Sequence, residues 1–133
     1  MNIESFRDYC LSKPGVIECY PFDETTLVFK VVSKMFALTD IEDLPFRISL
    51  KFTPEGALEA RENYDAVQPA FHMNKTYWNM IIVDDSIPER ELEKWIDDSY
   101  DLVAKGLKKK EKEELAALSA QPELKSKLKT RNK

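Results

Sequence analysis

Between residues 46 and 52 the chain alternates without a fault. Phe46, Ile48, Leu50 and Phe52 are large and apolar, while Arg47, Ser49 and Lys51 between them are polar. A period of two belongs to an extended strand, whose successive side chains point to opposite faces. One face must then pack on a core while the other stays wet, as in antiparallel sheets. Such a strand needs partner strands beside it and an apolar cover over its greasy face.

The rest of the 133-residue chain offers both. Residues 16–20, 27–32 and 35–39 read as three further strands. They are separated by a turn over residues 21–26 and a tight turn at Ser33-Lys34, and a loop over residues 40–45 leads to the fourth strand. Residues 78–83 make a strongly apolar fifth. Three segments read as helices. The first, residues 2–13, has Asn2 as its cap and Ile3, Phe6 and Cys10 at helical spacing, and Pro14-Gly15 ends it. The second opens at Thr53-Pro54-Glu55 and runs to about Asn63. The longest follows Ser86-Ile87-Pro88-Glu89, which resembles a capping box, and carries Leu92, Trp95, Ile96, Ser99, Val103 and Leu107 along one stripe. The expected fold class is α+β in the order α-β-β-β-β-α-β-α, a four-strand antiparallel meander plus a later fifth strand packed against helices.

The helical stripe weakens beyond Gly106. One domain is therefore expected over residues 1–107, with a basic helical or flexible tail over residues 108–133 anchored by Leu115 and Leu118. The net charge of −4 conceals a division between the two. The tail holds nine basic residues against four acidic ones, or +5, and the body eleven against twenty, or −9. The acidic body repels phosphate at long range and the tail attracts it.

Several functions find little support in the residues. There is one histidine, His72, so any Ser-His or Cys-His scheme rests on it alone. The three glycines are far apart and build no phosphate loop. Cys10 and Cys19 lack metal-ligand spacing and read as reduced, packed thiols. Asp97, Asp98 and Asp101 read as the solvent face of the long helix. No enzyme activity, metal or cofactor is expected. No run of about 18 apolar residues is present to span a membrane, and the first residues lack a signal-peptide pattern. The expectation is a cytoplasmic protein, monomeric or weakly dimeric.

The connector 68–79 is unusual in gathering aromatic, amide, imidazole and ammonium groups. Read structurally, His72 and Asn74 bond loop backbone while Tyr77 and Trp78 seat the last strand. Read functionally, Lys75 meets a phosphate and a ring stacks on a base. Here the chain resembles the MmcQ/YjbR family of small bacterial proteins, whose run stands as Pro69-Ala70-Phe71-His72-Met73-Asn74-Lys75 followed by Trp78-Asn79. Pro14-Gly15-Val16 with Pro21-Phe22, Lys34-Met35-Phe36-Ala37, and Ser99-Tyr100 with Leu102-Val103 also match the pattern. The motif residues are thus His72, Asn74, Lys75, Trp78 and Asn79.

The resemblance implies a YjbR-like domain that binds DNA without catalysis through two projecting hairpins, a double wing. Asp23 and Glu24 occupy one of the three candidate hairpin turns, and Asp40, Glu42 and Asp43 another. Their charge opposes phosphate. Contact is expected instead at Lys30, Lys34, Arg47, Lys51, Lys75 and the tail. The alternative is a protein-interaction or chaperone-like module that holds a protein partner and no nucleic acid.

Overall fold

A computed structural model describes residues 1–119. The basic residues of the tail beyond them, Lys125 to Arg131 among them, lie outside the described residues. The elements run in the order α1 (Ile3–Leu11), β1 (Val16–Cys19), β2 (Thr26–Val31), β3 (Lys34–Asp40), β4 (Arg47–Lys51), α2 (Pro54–Asn63), β5 (Val67–Pro69), β6 (Trp78–Ile82), α3 (Glu89–Lys105) and α4 (Lys109–Ser119). The expected α+β architecture is present. A short strand in the connector, β5, adds a sixth to the expected five. All pairings are antiparallel and the order is β1-β2-β3-β4-β6-β5.

Pro69 hid β5 from the sequence reading. Proline donates no ladder hydrogen bond and so reads as loop, yet an edge strand tolerates it. β5 sits at that edge, paired only with β6. The β2–β3 hairpin also turns one residue earlier than expected. Val31 pairs with Lys34, so Val32 and Ser33 make the turn. Val32 takes φ 56°, a costly conformation for a β-branched side chain. Its N–H is held by the carbonyl of Gly15 at 3.0 Å.

One face of the sheet carries the core. Leu27, Phe29, Val31, Phe36, Ala37, Ile48, Leu50 and Ile81 are buried beneath α1 and α3. Edge-to-face ring pairs join the layers: Phe6 on Phe29 at 5.5 Å, Phe36 on Tyr100 at 5.4 Å and Phe52 on Trp95 at 5.6 Å. A bulge accompanies this packing, because Lys30 pairs with Met35 while Phe29 pairs with Ala37, leaving Phe36 as the extra residue. The carbonyl of Phe36 accepts from Ser99 Oγ at 2.6 Å, and that hydroxyl accepts from Lys51 N at 2.9 Å. The serine in the apolar stripe of α3 thereby satisfies backbone that a bulge and a strand end would otherwise leave bare.

Caps follow the sequence in two helices of three. Asn2 and Ser5 form a reciprocal box at α1, and Thr53 caps α2. The box expected at Ser86 does not form. α3 starts only at Glu89, after Pro88 and with no side-chain cap, which leaves Ser86 two residues before the N-cap, its Oγ donating to Asp84 Oδ1 at 2.5 Å. Asp97 is not free solvent face, since it accepts from Tyr9 at 2.8 Å and from Lys13. Cys10 is buried and Cys19 half-buried, both as free thiols, and burial pushes the Cys10 thiol up. α4 returns against the β2–β3 turn. A Cβ on Gly15, at φ +71°, would lie 2.8 Å from Leu115 Cδ1, so the glycine is what admits this helix. No helix among the described residues is long and apolar enough to cross a membrane.

Candidate ligand-binding face

Strand register places the expected cations. Phe29, Ala37, Leu50 and Asn79 form one row across the core face. Lys30 and Lys51 each follow a member of that row by one residue. Both therefore belong to the outer face, one step nearer the same end of the sheet. The loop 70–77 enters β6 at that end and carries Lys75. Lys51 Nζ lies 5.6 Å from the Tyr77 ring centroid, and Lys75 Nζ lies 5.6 Å from that of Phe71.

The other two expected cations are placed elsewhere. Lys34 is opposite Val31, toward α3, and its Nζ donates to the carbonyl of Gly106 at 2.8 Å, closing the C-terminus of α3. Arg47 opens β4 at the far end of the face, 3.7 Å from Asp43, and its Nε is buried with no partner among the described residues. Arg47 and Lys51 do not make a wet cationic strip, because both are half-buried and the ground between them is apolar.

That ground is the floor of a trough of 750 Å³. Met35, Leu38, Ser49 and Met80 form its base. The loop after β1 contributes Phe22 and Asp23, and the loop 70–77 contributes Phe71, His72, Met73 and Asn74, with Trp78 behind them. Phe22 and Phe71 are 65% and 63% exposed and line the same hollow. Asp23, Asp40 and Asp43 line the same hollow. The backbone N–H of Thr26, then that of Thr25, holds the Asp23 carboxyl below the usual carboxylate range, so it is charged at neutral pH. The trough thus has carboxylates inside it and ammonium groups at one end of its sheet.

The motif residues divide by role. Asn74 Oδ1 accepts from Thr76 N at 3.0 Å and its carbonyl accepts from Tyr77 N and Trp78 N, so it shapes the loop. Asn79 is fully buried, donating to the carbonyl of Ala57 at 3.1 Å and accepting from Arg61 Nε at 2.6 Å. Arg61 also donates to the carbonyl of Lys75, so α2 fixes the root of the loop. Trp78 is buried, and both it and Asn79 act structurally. His72 instead stands exposed on the trough wall and was not drawn into loop backbone. Phe22 was visible only as part of the Pro21-Phe22 block, and Leu38 and Met80 not at all as site residues, because each lay in a strand or turn already accounted for. Only the tail of the alternation, apolar residues at outer-face positions such as Leu38 and Met80, carried the signal.

Three kinds of comparison agree. The family model described as YjbR matches residues 11–102. Two Escherichia coli proteins are similar in sequence. One, named YbdF, from strain O157:H7, is 35% identical over 81% of this chain and 88% of its own length. The other, named YjbR, from strain K12, is 33% identical over 75% and 85%. The crystal structure of a Deinococcus radiodurans protein matches with a TM-score of 0.80 at 40% identity, covering 86% of this chain and 88% of that one. A Pseudomonas syringae protein matches with a TM-score of 0.67 at 27% identity, over 77% and 98%.

Proposed function

The chain belongs to the YjbR family, and from that premise we propose that it is a non-catalytic DNA-binding module that meets the phosphate backbone with Lys30, Lys51 and Lys75. The observation that carries this reading is the grouping of those three cations. Lys30 and Lys51 share one end of the outer face, Lys75 stands on the loop that joins the sheet there, and none of the three has a carboxylate partner among the described residues. The rings of Tyr77 and Phe71 lie 5.6 Å from the Lys51 and Lys75 ammonium groups.

The wings contribute differently from the double-wing expectation. The 20–25 and 40–45 loops present Asp23, Glu24, Glu42 and Asp43, which face phosphate unfavourably. Contact by hairpin tips is therefore replaced by contact at the opposite end of the sheet. With three phosphates neutralised, log K should fall with log salt with a slope of about −2.7. Fluorescence anisotropy of labelled DNA across a salt series measures it. Lys51→Ala should make the slope shallower by about 0.9. Absence of any binding at low salt ends the reading.

A further inference from the structure

The trough separates two kinds of chemistry that a nucleotide also separates. Inside it are apolar side chains, open aromatic rings, three carboxylates and Arg47, which faces Asp43; outside, at one end, are ammonium groups. Three carboxylates against the one guanidinium of Arg47 leave the hollow net acidic, which disfavours phosphate there, and the open rings of Phe22 and Phe71 favour a flat group. Resting on the DNA-binding reading, we propose that the outer-face trough receives an unpaired base, from a single strand or a flipped-out nucleotide, while its phosphate stays at the lysines.

Size favours this over a duplex. A volume of 750 Å³ falls within the roughly 300–1,000 Å³ of small-ligand sites. A double helix keeps its bases stacked inside and offers only phosphates and groove edges to a surface. It therefore has no part that fits a hollow of this kind. An unstacked base does, and stacking on an aromatic ring is the usual way proteins hold one. The ring of Phe71 already carries Lys75 at 5.6 Å, so a base on that ring brings its own phosphate near an ammonium group.

The carboxylates then acquire a purpose. Ionised Asp accepts hydrogen bonds and donates none. It suits the exocyclic amino groups of cytosine, adenine and guanine, whereas thymine has no amino group and offers only its N3–H, flanked by two carbonyl acceptors that a carboxylate repels. Asp23 spends its oxygens on Thr25 and Thr26, and Asp43 faces Arg47. Asp40 uses only Oδ1, on Glu42 N, which leaves Oδ2 open as the acceptor. His72 and Asn74 on the opposite wall add donors and acceptors of their own.

The test is anisotropy of fluorescein-labelled oligo-dC, oligo-dA and oligo-dT strands, and of a duplex of matched length, against the full chain at fixed low salt. Single-stranded dC and dA should bind at least about tenfold more tightly than the duplex and about fivefold more tightly than dT. Phe71→Ala should cost about 5- to 150-fold on single strands, the range for loss of one stacked base, and much less on the duplex, which loses only the ring beside Lys75. Because Phe71 is exposed, the variant should fold, which circular dichroism checks; Phe22→Ala gives a second, independent readout. Equal duplex and single-strand binding that ignores Phe71→Ala and Phe22→Ala would overturn the base pocket and leave the DNA reading standing. Failure of every oligonucleotide would remove both. Saturable binding of a short Lys- and Phe-containing peptide in their place would assign the trough to a protein partner and overturn the inference.

Discussion

Both faces of the sheet carry apolar residues but differ in what covers them. The inner face is sealed by α1 and α3, with Phe29, Ile48, Leu50 and Ile81 wholly removed from solvent and backbone ends satisfied by Ser99. The outer face carries Val28, Leu38 and Met80, yet only two loops fold toward it, and a hollow remains. The inner face therefore holds the fold together and the outer face is available for a ligand. A sheet that invests apolar residues on a face it does not close departs from the simple wet-face rule, and such departures are expected at functional sites.

The sharpest way to break this comparison is to shorten one leucine on each side. Leu50→Ala on the inner face should cost about 2–5 kcal/mol, from lost transfer energy and an unfilled cavity. Leu38→Ala, half-exposed on the outer face, should cost about 1 kcal/mol because the trough is already hollow there. Urea midpoints at constant slope give both values. Equal losses would mean that the outer face is part of the core.

Alkaline titration should single out the inner face next. Tyr100 is buried there, its hydroxyl donating to the carbonyl of Pro14 at 2.6 Å, and burial, with Asp101 adding, raises its pKa from 10 to about 12. A raised folded pKa means that the neutral phenol is favoured in the folded state. Its contribution is complete below pH 10 and disappears as pH climbs through about 12. At about 1.4 kcal/mol per pH unit, discounted for the solvent that reaches the phenol, the loss should be about 1–2 kcal/mol. Tyr100→Phe should start about 1 kcal/mol less stable at neutral pH and lose correspondingly less between pH 10 and 12, once the ionisation common to both proteins is subtracted. Parallel pH profiles for the two proteins would refute this.

Much of the inner face was legible in the sequence, and the reason is periodicity. The alternation of residues 46–52 and the stripe on α3 each encode a buried side directly, and both appear where expected. The cap at Ser86 failed because α3 begins only at Glu89, with Pro88 at the N-cap, a boundary that the Ser-x-x-Glu spacing does not fix. The outer face was harder to read. Arg47 and Lys51 suggested a cationic strip, but whether two cations on one strand share open ground depends on which side chains stand beside them on β3 and β6. Leu38 and Met80 are the neighbours of Ser49, and that register is set by turns and by the Phe36 bulge, which no single strand records. The motif 69–79 was visible as a block, yet its division into Asn74 and Asn79 as fasteners and His72 as open wall required the fold.

The smallest expected effect tests the comparison at the rim of the trough. Phe71 is a large aromatic side chain, and in the inner layer its loss would cost about 3–5 kcal/mol. At its actual position it is 63% exposed, and its nearest recorded partner is the ammonium of Lys75. A ring placed so openly gains little from folding, because most of its surface stays wet in either state. The cation–ring contact at an exposed site is worth about 0.5–1 kcal/mol at most. Phe71→Ala should therefore shift stability by no more than about 0.5–1 kcal/mol in a urea melt, while Phe29→Ala, beneath α1, should approach the full core value. If Phe71→Ala instead destabilises as Phe29→Ala does, the loop 70–77 is a structural lid over the outer face, and the trough loses its claim to be kept open for a ligand.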